Sequence, residues 1–282
     1  MTSVDAHHHF WDPAAADYPW LTDDLAPIRR AFGPADLAPL LAESGIDLTV
    51  LVQTRATADE TREFLATAAA HPFIAGVVGW IDLTRASIRD DLAALRAGPG
   101  GDRLVGIRHQ VHDEPDPAWL ARADVRRGLV EVASAGLAYD LLVRARELPA
   151  AIDAAVALPE LRFVLDHAAK PAIVSHVREP WTTLIGRLAA LDNVSCKLSG
   201  LVTEADWSMW TPDDLRPYVE TVLEAFGPSR LMFGSDWPVC LLAASYERVV
   251  DTSRQLTADL TATEQARVFG GTAVETYGLR TA

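Results

Sequence analysis

The feature that most constrains the fold is an alternation of short β-rich runs with amphipathic stretches along the chain. Eight such runs follow one another: VDAHHHF, LTVLVQT, IAGVVGWIDL, LVGIRHQV, LAYDLLVR, LRFVLDHAAK, VSCKLSG and RLMFGSDWPV. Most of them would be apolar on both faces of a strand, which is typical of parallel strands covered by helices. Eight strand–helix units in 282 residues predict an α/β protein built as a (β/α)8 TIM barrel.

The stretches between these runs carry helix signals. Ile88, Leu92 and Leu95 recur at helical spacing, and Thr211 precedes Pro212 as an N-cap precedes a first-turn proline. A doubly wound sheet is the alternative fold, but no glycine-rich GxGxxG turn follows an early strand. Because the chain contains no linker or low-complexity segment, we expect one domain over residues 1–282.

One connection is unusual. The segment 10–33, rich in proline and aromatic residues, is too long for an ordinary strand-to-helix loop. It would leave the first strand at its carboxyl end and so lie over the mouth of the barrel. Trp11, Tyr18 and Trp20 would either line a pocket there or form a packing plug, and both interpretations stay open.

Composition limits the partners and the location. The formal net charge of −14 argues against nucleic acid, because a phosphate backbone would repel the chain. No apolar run approaches the roughly 20 residues of a membrane helix, and no basic-then-apolar leader opens the chain, so we expect a cytoplasmic protein. Cys196 and Cys240 form no CxxC pair, which argues against a disulfide framework or structural zinc. A homo-oligomer is left open.

Two histidines one residue apart, His7 and His9, stand at the end of the first predicted strand. Side chains alternate along a strand, so these two point the same way while His8 points the other way. Two converging imidazoles can bind one metal ion or polarise one substrate oxygen. The plainer alternative is a pair of hydrogen-bonded core histidines.

Polar residues at the other strand ends favour a site. In a TIM barrel the chemistry lies at the carboxyl ends of the strands. Four side chains would face one point there, and three imidazoles with one carboxylate suit a divalent ion such as zinc. These four predicted catalytic and metal-binding residues are His7, His9, His167 and Asp236. The predicted substrate-binding residues are Gln53, Trp80, Arg108, His109, Lys170, Lys197 and Trp237.

The two lysines carry separate information. Of the 25 basic residues, only Lys170 and Lys197 are lysine. Because arginine is the default cation of this chain, a retained lysine suggests a position that needs a compact ammonium. Both follow predicted strands, so we expect both at the site. His112 lies further along, in a charged loop, and is given no role.

Several segments together resemble a known family. DAHHHFWDP, GIRH, VLDHAAKP, CKLSGL and FGSDWPV, with the tail FGGTAVETYGL, are similar to the amidohydrolase superfamily, in its branch of sugar lactonases of the fuconolactonase type. In this resemblance His7 and His9 match the first-strand HxH. His167 matches the later-strand histidine, and Asp236 matches the aspartate after the last strand. Ala169 stands where the family usually has glycine.

The resemblance implies a hydrolase that opens a sugar-acid lactone, an L-fuconolactone-like aldonolactone, in carbohydrate metabolism. Asp236 would take a proton from water, and the three histidines would stabilise the carbonyl oxyanion directly or through one divalent metal. Two-metal members use a lysine after strand four and a histidine after strand five. Here Arg108 and Asp140 stand at those strands, so we expect at most one ion.

Some alternatives remain at this level. Lactonases of this branch are expected to be able to work without metal, so the zinc is treated as dispensable, and no organic cofactor is expected. The small-molecule substrate could also belong to a metal-dependent amidohydrolase or decarboxylase on the same barrel. A non-catalytic barrel that binds sugar acids fits less well, since a pure binder has little need of a buried base beside three histidines.

Overall fold

Eight parallel strands pair in the order of the chain in the computed structural model, which describes residues 2–281. They are β1 (Val4–His8), β2 (Leu48–Val52), β3 (Ile74–Gly79), β4 (Leu104–His109), β5 (Ala138–Leu141), β6 (Phe163–Leu165), β7 (Val194–Leu198) and β8 (Leu231–Phe233). The chain just after β8 returns to β1, since Asp236 N–H donates to His7 O (2.8 Å) and His9 N–H donates to Trp237 O (2.7 Å). The sheet therefore closes on itself. This confirms the predicted TIM barrel and excludes the doubly wound sheet.

Most helices cover the outside of the barrel, while one short helix lies at its mouth and the last reaches its inner layer. The helices are α1 (Pro34–Ser44), α2 (Ala58–Ala70), α3 (Ile88–Ala97), α4 (Ala123–Ser134), α5 (Leu148–Ala157), α6 (Trp181–Ala189), α7 (Leu201–Glu204), α8 (Pro212–Phe226), α9 (Tyr246–Leu256), α10 (Ala262–Ala266) and α11 (Thr272–Tyr277). At the start of α8, Thr211 N–H donates to Asp214 Oδ2 (2.7 Å), as its N-cap pattern predicts. Within residues 2–281, no helix has the length and apolarity needed to cross a bilayer.

The apolar residues form two layers. The larger lies between strands and helices, and the smaller fills the inside of the barrel. The inner layer collects mostly small and β-branched side chains, among them Val4, Ala6, Val50 and Ala138, together with Met232 of β8 and Tyr277 of α11. The barrel is therefore packed beneath its mouth, and its polar residues are confined to the layers above.

A bulge in β1 decides which of its side chains enter the barrel. The pairing of β1 with β2 shifts register between Asp5 and His8, where β1 carries one more residue than its partner. Ala6 belongs to the inner layer, so plain alternation would carry His8 inside as well. With the extra residue, His7 and His9 reach the mouth and His8 stays outside.

The segment 10–33 fulfils both proposed roles with different residues. Trp11 is buried, its Nε1–H donates to Ile28 O (3.1 Å), and its backbone pairs with Phe32. Trp20 packs edge-on against Trp11, with ring centroids 5.1 Å apart, and lines the cavity in the barrel mouth. Trp11 is thus the packing plug and Trp20 part of the pocket wall.

Candidate active site

A cavity of about 410 Å³ opens at the carboxyl ends of the strands. This is the size of pocket that takes a small ligand. Five predicted site residues line it: His9, Arg108, His167, Lys170 and Asp236. The remaining lining residues are Trp20, Leu25, Thr54, Gln110, His112, Asp113, Leu142, Arg144, Thr203, Glu204, Trp207, Val239 and Leu242.

The structure brings the four predicted catalytic residues together at the base of this cavity. His7 Nε2 and His9 Nε2 lie 3.1 Å apart. Asp236 Oδ1 lies 3.4 Å from His9 Nε2, 3.8 Å from His7 Nε2 and 3.9 Å from His167 Nε2. One carboxylate oxygen thus faces three imidazoles that arrive from β1 and from the end of β6.

Asp236 is held as a carboxylate by its surroundings. It is buried, and burial alone would raise its pKa, but His167 and His9 outweigh that effect and hold the pKa below its ordinary value. Its backbone has φ of +58°, a conformation that non-glycine residues seldom adopt. The hydrogen bond from Asp236 N–H to His7 O fixes this turn against β1. Such strain persists only where the surroundings hold it, as at functional sites.

His167 occupies a second strained turn. Four successive residues, His167 to Lys170, have φ between +49° and +59°. Left-handed backbone costs a non-glycine residue about 1–2 kcal/mol. Ala169, with φ of +59°, adopts it without the freedom of a glycine. His167 Nδ1 is hydrogen-bonded to Ser199 Oγ (2.9 Å), and burial lowers the pKa of His167 to about 4, so its ring is neutral at pH 7.

A buried charge cluster lies directly beneath His7. The Lys197 side chain is fully enclosed; its Nζ lies 2.6 Å from Asp140 Oδ2 and 2.9 Å from Asp166 Oδ1. Arg108 Nη1 donates to Asp166 Oδ2 (2.9 Å). Burial first, and Lys197 second, lower the pKa of His7 well below its ordinary value, so His7 is neutral.

Arg108 and Lys170 are the predicted substrate-binding residues that reach the cavity. Arg108 contacts the predicted catalytic residues, with Nη1 3.3 Å from His7 Nε2. Lys170 Nζ donates to Glu204 Oε1 (2.5 Å) at the cavity wall. Both cations are therefore placed where they could contact a bound ligand.

The other predicted substrate-binding residues do not line this cavity in the part of the chain that the structure describes. Trp80 Nε1–H donates to His109 Nδ1 (3.0 Å), so His109 Nε2 donates in turn to Glu114 Oε1 (2.7 Å), and both histidine nitrogens are engaged away from the cavity. Trp237 is buried against Phe10, with ring centroids 6.1 Å apart.

Gln53 and Lys197 lie too deep to face the cavity. Both are fully buried, with Gln53 Nε2 donating weakly to Arg108 O (3.4 Å). Lys197 faces inward, but one layer below the mouth. A substrate contact stays a prediction for the five residues outside the cavity lining, which are Gln53, Trp80, His109, Lys197 and Trp237.

Several cavity residues had no predicted role, and three of them carry titratable or charged side chains that contact or face the pocket. His112 and Arg144 line the cavity, as does Glu204, whose second carboxylate oxygen lies 3.6 Å from Arg144 Nη1. Arg144 follows β5 by three residues, so its position past a strand end could have indicated it. The charged loop around His112 favours no role for it, yet that loop leaves the mouth of the barrel and places His112 at the cavity.

The donor atoms fit one divalent ion. One nitrogen each of His7 and His9 and one oxygen of Asp236 all lie within 4.8 Å of one another. Ligands at 2.0–2.1 Å in a tetrahedral zinc site stand roughly 3.3–3.5 Å apart. The three pairs among His7, His9 and Asp236 are 3.1, 3.4 and 3.8 Å apart, within a few tenths of an ångström of that spacing. Two imidazoles and a carboxylate also form a common catalytic zinc set.

The barrel and this cluster at its mouth define a hydrolase of the amidohydrolase type, and the comparisons agree. The amidohydrolase family model matches residues 4–279, so the chain belongs to that family, as its motifs indicated. It is 42% identical to an L-fucono-1,5-lactonase of Burkholderia multivorans, covering 98% of this chain and 96% of that protein. It is 43% identical to an L-fucono-1,5-lactonase of Burkholderia ambifaria, covering 97% and 94%.

A solved structure shows the same fold with an ion. The crystal structure of an amidohydrolase from Burkholderia multivorans with bound zinc superposes with a TM-score of 0.95 at 39% identity. The match covers 99% of this chain and all of that one. The zinc in this relative agrees with the predicted divalent ion.

Proposed function

We propose that this chain is a single-domain hydrolase that opens a sugar-acid lactone, with L-fucono-1,5-lactone as the first substrate to test. The observation that carries the proposal is the cluster of one carboxylate oxygen and three imidazoles beneath a cavity of about 410 Å³. The two curated lactonases, similar over nearly their whole length, support the lactone as substrate.

Asp236 acts as the general base. Its carboxylate takes one proton from a water molecule at the base of the cavity, and the water oxygen attacks the lactone carbonyl. Because its pKa lies below the ordinary value, Asp236 is ready to accept that proton at neutral pH. The ring C–O bond then breaks, and the same carboxyl returns its proton to the leaving alkoxide.

The oxyanion of the tetrahedral intermediate is stabilised by the imidazoles and by Arg108. His167 Nδ1 can accept a hydrogen bond from the Ser199 hydroxyl, and the ring proton is then on Nε2, where it can be donated toward Asp236 and the carbonyl. Arg108 adds a fixed positive charge at the same depth. When bound at His7, His9 and Asp236, a divalent ion would supply a Lewis acid for the carbonyl oxygen.

The upper wall of the cavity is suited to hydroxyl groups. Lys170 and Arg144 approach opposite oxygens of Glu204, so two donors and one acceptor stand side by side. Sugar hydroxyls both donate and accept, and such a wall can bond several of them. We keep the cytoplasm as the predicted location and leave the oligomeric state open.

A pH-indicator screen of aldonolactones tests the proposal, because each lactone opened to an acid releases a proton. We expect turnover of L-fucono-1,5-lactone, with a loss of about 10²–10⁴-fold in Asp236→Asn. Asp213→Asn, an exposed aspartate at the start of α8, is the matched control and should keep wild-type turnover. Near wild-type turnover in Asp236→Asn would refute the general base.

Chelation separates this proposal from its main alternative. A decarboxylase or amidase that requires its metal would lose all activity with a chelator and regain it with zinc or manganese. The lactonase is expected to retain substantial turnover in the chelator, since a lactone is already an activated ester.

A further inference from the structure

The lining of the cavity is divided between two arcs of the barrel mouth. Its cations come from the ends of β4, β5 and β6, which supply Arg108, Arg144 and Lys170. Five of its six apolar side chains instead follow β7, β8 and β1, whose ends are neighbours because the sheet is closed. These five, here called the apolar arc, are Trp20, Leu25, Trp207, Val239 and Leu242. A ligand in the cavity therefore meets charge from one arc and hydrocarbon from the other.

The three chain segments that form the apolar arc lie next to one another. The turn Val239–Leu242 neighbours both the turn Asp23–Ile28 and α7. It therefore joins Leu25, in the segment 10–33, to the loop that follows α7 and carries Trp207. The arc is one apolar surface of the cavity, built from parts of the chain that are far apart in sequence.

Trp207 is the exposed tryptophan of this arc. It is 40% exposed although it lines the cavity, whereas Trp210 in the same loop is 4% exposed. Trp210 anchors the loop, because its Nε1–H donates to Ala243 O (2.9 Å). Asp206 Oδ1 accepts a hydrogen bond from Ser208 N–H (2.9 Å) within the loop. The exposed indole thus stands on a loop that is fixed before any ligand binds.

Both indoles of the arc keep their polar atom away from the cavity. Trp207 Nε1–H donates to Thr203 O (2.9 Å), and Trp20 Nε1 is buried. These side chains therefore present the carbon atoms of their rings. Such a surface is suited to the C–H groups of a sugar ring, and removing both from water is favourable.

Glu204 marks the border between the two arcs. It is the last residue of α7, and its carboxylate contacts Lys170 and Arg144 from the cationic arc. Trp207 follows it by three residues. A lactone whose hydroxyls bond Glu204 and Lys170 would therefore turn its C–H groups toward the indole of Trp207.

We propose that Trp207 is a specificity-determining residue that covers the hydroxyl-poor side of the bound lactone, and that the apolar arc favours a methyl over a hydroxymethyl group at C6. A hydroxymethyl group would exchange its water partners for carbon atoms that form no hydrogen bond, which is unfavourable. The inference rests on the proposed lactone hydrolysis and adds the part of the sugar that the site selects.

Steady-state kinetics on two lactones test the proposal. L-fucono-1,5-lactone has a methyl group at C6, and L-galactono-1,5-lactone has a hydroxymethyl group there but is otherwise the same. We expect wild type to prefer the first by about tenfold in kcat/KM, and Trp207→Ala to prefer it by less than about threefold. For L-fucono-1,5-lactone, Trp207→Ala should raise KM about tenfold and keep kcat within about twofold, because the contact is equal in the ground and transition states. Trp207→Phe keeps an aromatic ring and should restore most of the KM.

Met209→Ala is the matched control. Met209 is a 74% exposed apolar residue of the same loop, and it lines a separate groove beside Asp214. Its replacement should leave both the KM and the preference between the two lactones as in wild type. A KM in Trp207→Ala within about twofold of wild type, or an unchanged preference, would overturn the proposal.

Binding of L-fuconate, the acid that the reaction would release, separates a failure of this inference from a failure of the proposed function. Calorimetry on wild type and Trp207→Ala measures it without turnover. If no lactone is hydrolysed but L-fuconate binds about tenfold more weakly to Trp207→Ala, the proposed function is wrong and the apolar arc stands as a sugar-acid site. Normal turnover with equal binding by both proteins would overturn the inference alone, and a lack of both turnover and binding would overturn both.

Discussion

The two sides of β1 place the same residue type in contrasting surroundings. On the inner side, His7 and His9 face Asp236 at the base of the cavity. On the outer side, His8 Nε2 is hydrogen-bonded to Thr49 Oγ1 (2.9 Å), and its ring lies against Phe10. All three histidines are buried, so burial alone does not identify the chemical ones. The difference lies in their neighbours: a carboxylate and two cations inside, a hydroxyl and an aromatic ring outside.

The largest expected contrast is in turnover. His9→Gln removes an imidazole from the inner side and should lower kcat by about 10²–10³-fold, the usual cost of losing an oxyanion donor. His8→Gln keeps an amide near the position of Nε2 on the outer side and should leave kcat within about threefold of wild type. Lactone turnover under saturating substrate measures both. Equal losses would mean that the two sides do not differ in chemistry.

On the outer side of β1, His8 should affect the free energy of unfolding at acid pH. Burial, with His9 as a second cause, lowers the pKa of His8 to about 3, against 6.5 in the unfolded chain. Below pH 6.5 the unfolded chain binds a proton that the folded chain does not, so stability falls as the pH falls. At about 1.4 kcal/mol per pH unit, the neutral His8 lowers the free energy of unfolding by roughly 3 kcal/mol between pH 7 and pH 4.

Urea unfolding at several pH values, compared between wild type and His8→Gln, isolates this cost. Other groups also titrate. Burial raises the pKa of Asp5 to about 6, so protonation of Asp5 stabilises the folded chain as the pH falls from 6 to 4, which is opposite to the effect of His8. Both proteins share those groups. The variant should therefore lose less stability toward pH 4, and parallel curves would contradict a neutral buried His8.

A third experiment tests the crowding of the inner side. Gly200 has φ of +64°, and a Cβ there would lie 2.6 Å from His167 Nδ1 and 3.1 Å from Asp236 Oδ2. Gly200→Ala should lower the free energy of unfolding by about 1–2 kcal/mol and also displace His167, with at least a tenfold loss of kcat. Gly45→Ala is matched in backbone, with φ of +66°, and its Cβ would meet no atom of the described residues within 4 Å. Gly45→Ala should therefore show a similar loss in the free energy of unfolding but keep the kcat of the wild type.

The smallest expected effects come from two hydroxyls in equivalent bonds. Ser199 Oγ lies 2.9 Å from His167 on the inner side, and Thr49 Oγ1 lies 2.9 Å from His8 on the outer side. Removing either by Ser199→Ala or Thr49→Val should cost about 1 kcal/mol. In Ser199→Ala we expect a roughly fivefold drop in kcat, and in Thr49→Val only a lower melting temperature. A loss of activity in Thr49→Val would contradict the idea that only the inner side of β1 takes part in the chemistry.

Much of this arrangement could be predicted from the sequence, because it depends on local periodicity. The eight strands, the closure into a barrel and the meeting of His7, His9, His167 and Asp236 follow from apolar runs and from the rule that chemistry lies at strand ends. Residue alternation also separated His8 from its neighbours. The bulge that makes this separation work lies in the pairing of two strands, which a single segment does not show.

Depth and direction within the mouth were harder to predict. Arg108 and His109 are adjacent on β4, so only one can face inward, and the strand-end rule alone could not choose. Lys197 faces inward but lies a layer below the cavity, since its height depends on how far β7 is staggered against its neighbours. The proposed role of Glu204 depends on its contacts with Lys170 and Arg144, which are distant from it in sequence.

The scarcity of lysine gives this enzyme a single accessible lysine for chemical labelling. Of its two side-chain amines, that of Lys197 is sealed inside the barrel, while that of Lys170 stands at the rim of the cavity. Once the α-amino group is blocked, an amine-selective dye would therefore attach to one side chain, beside the entrance of the cavity. Its fluorescence could follow occupancy of the pocket in real time, without an engineered cysteine.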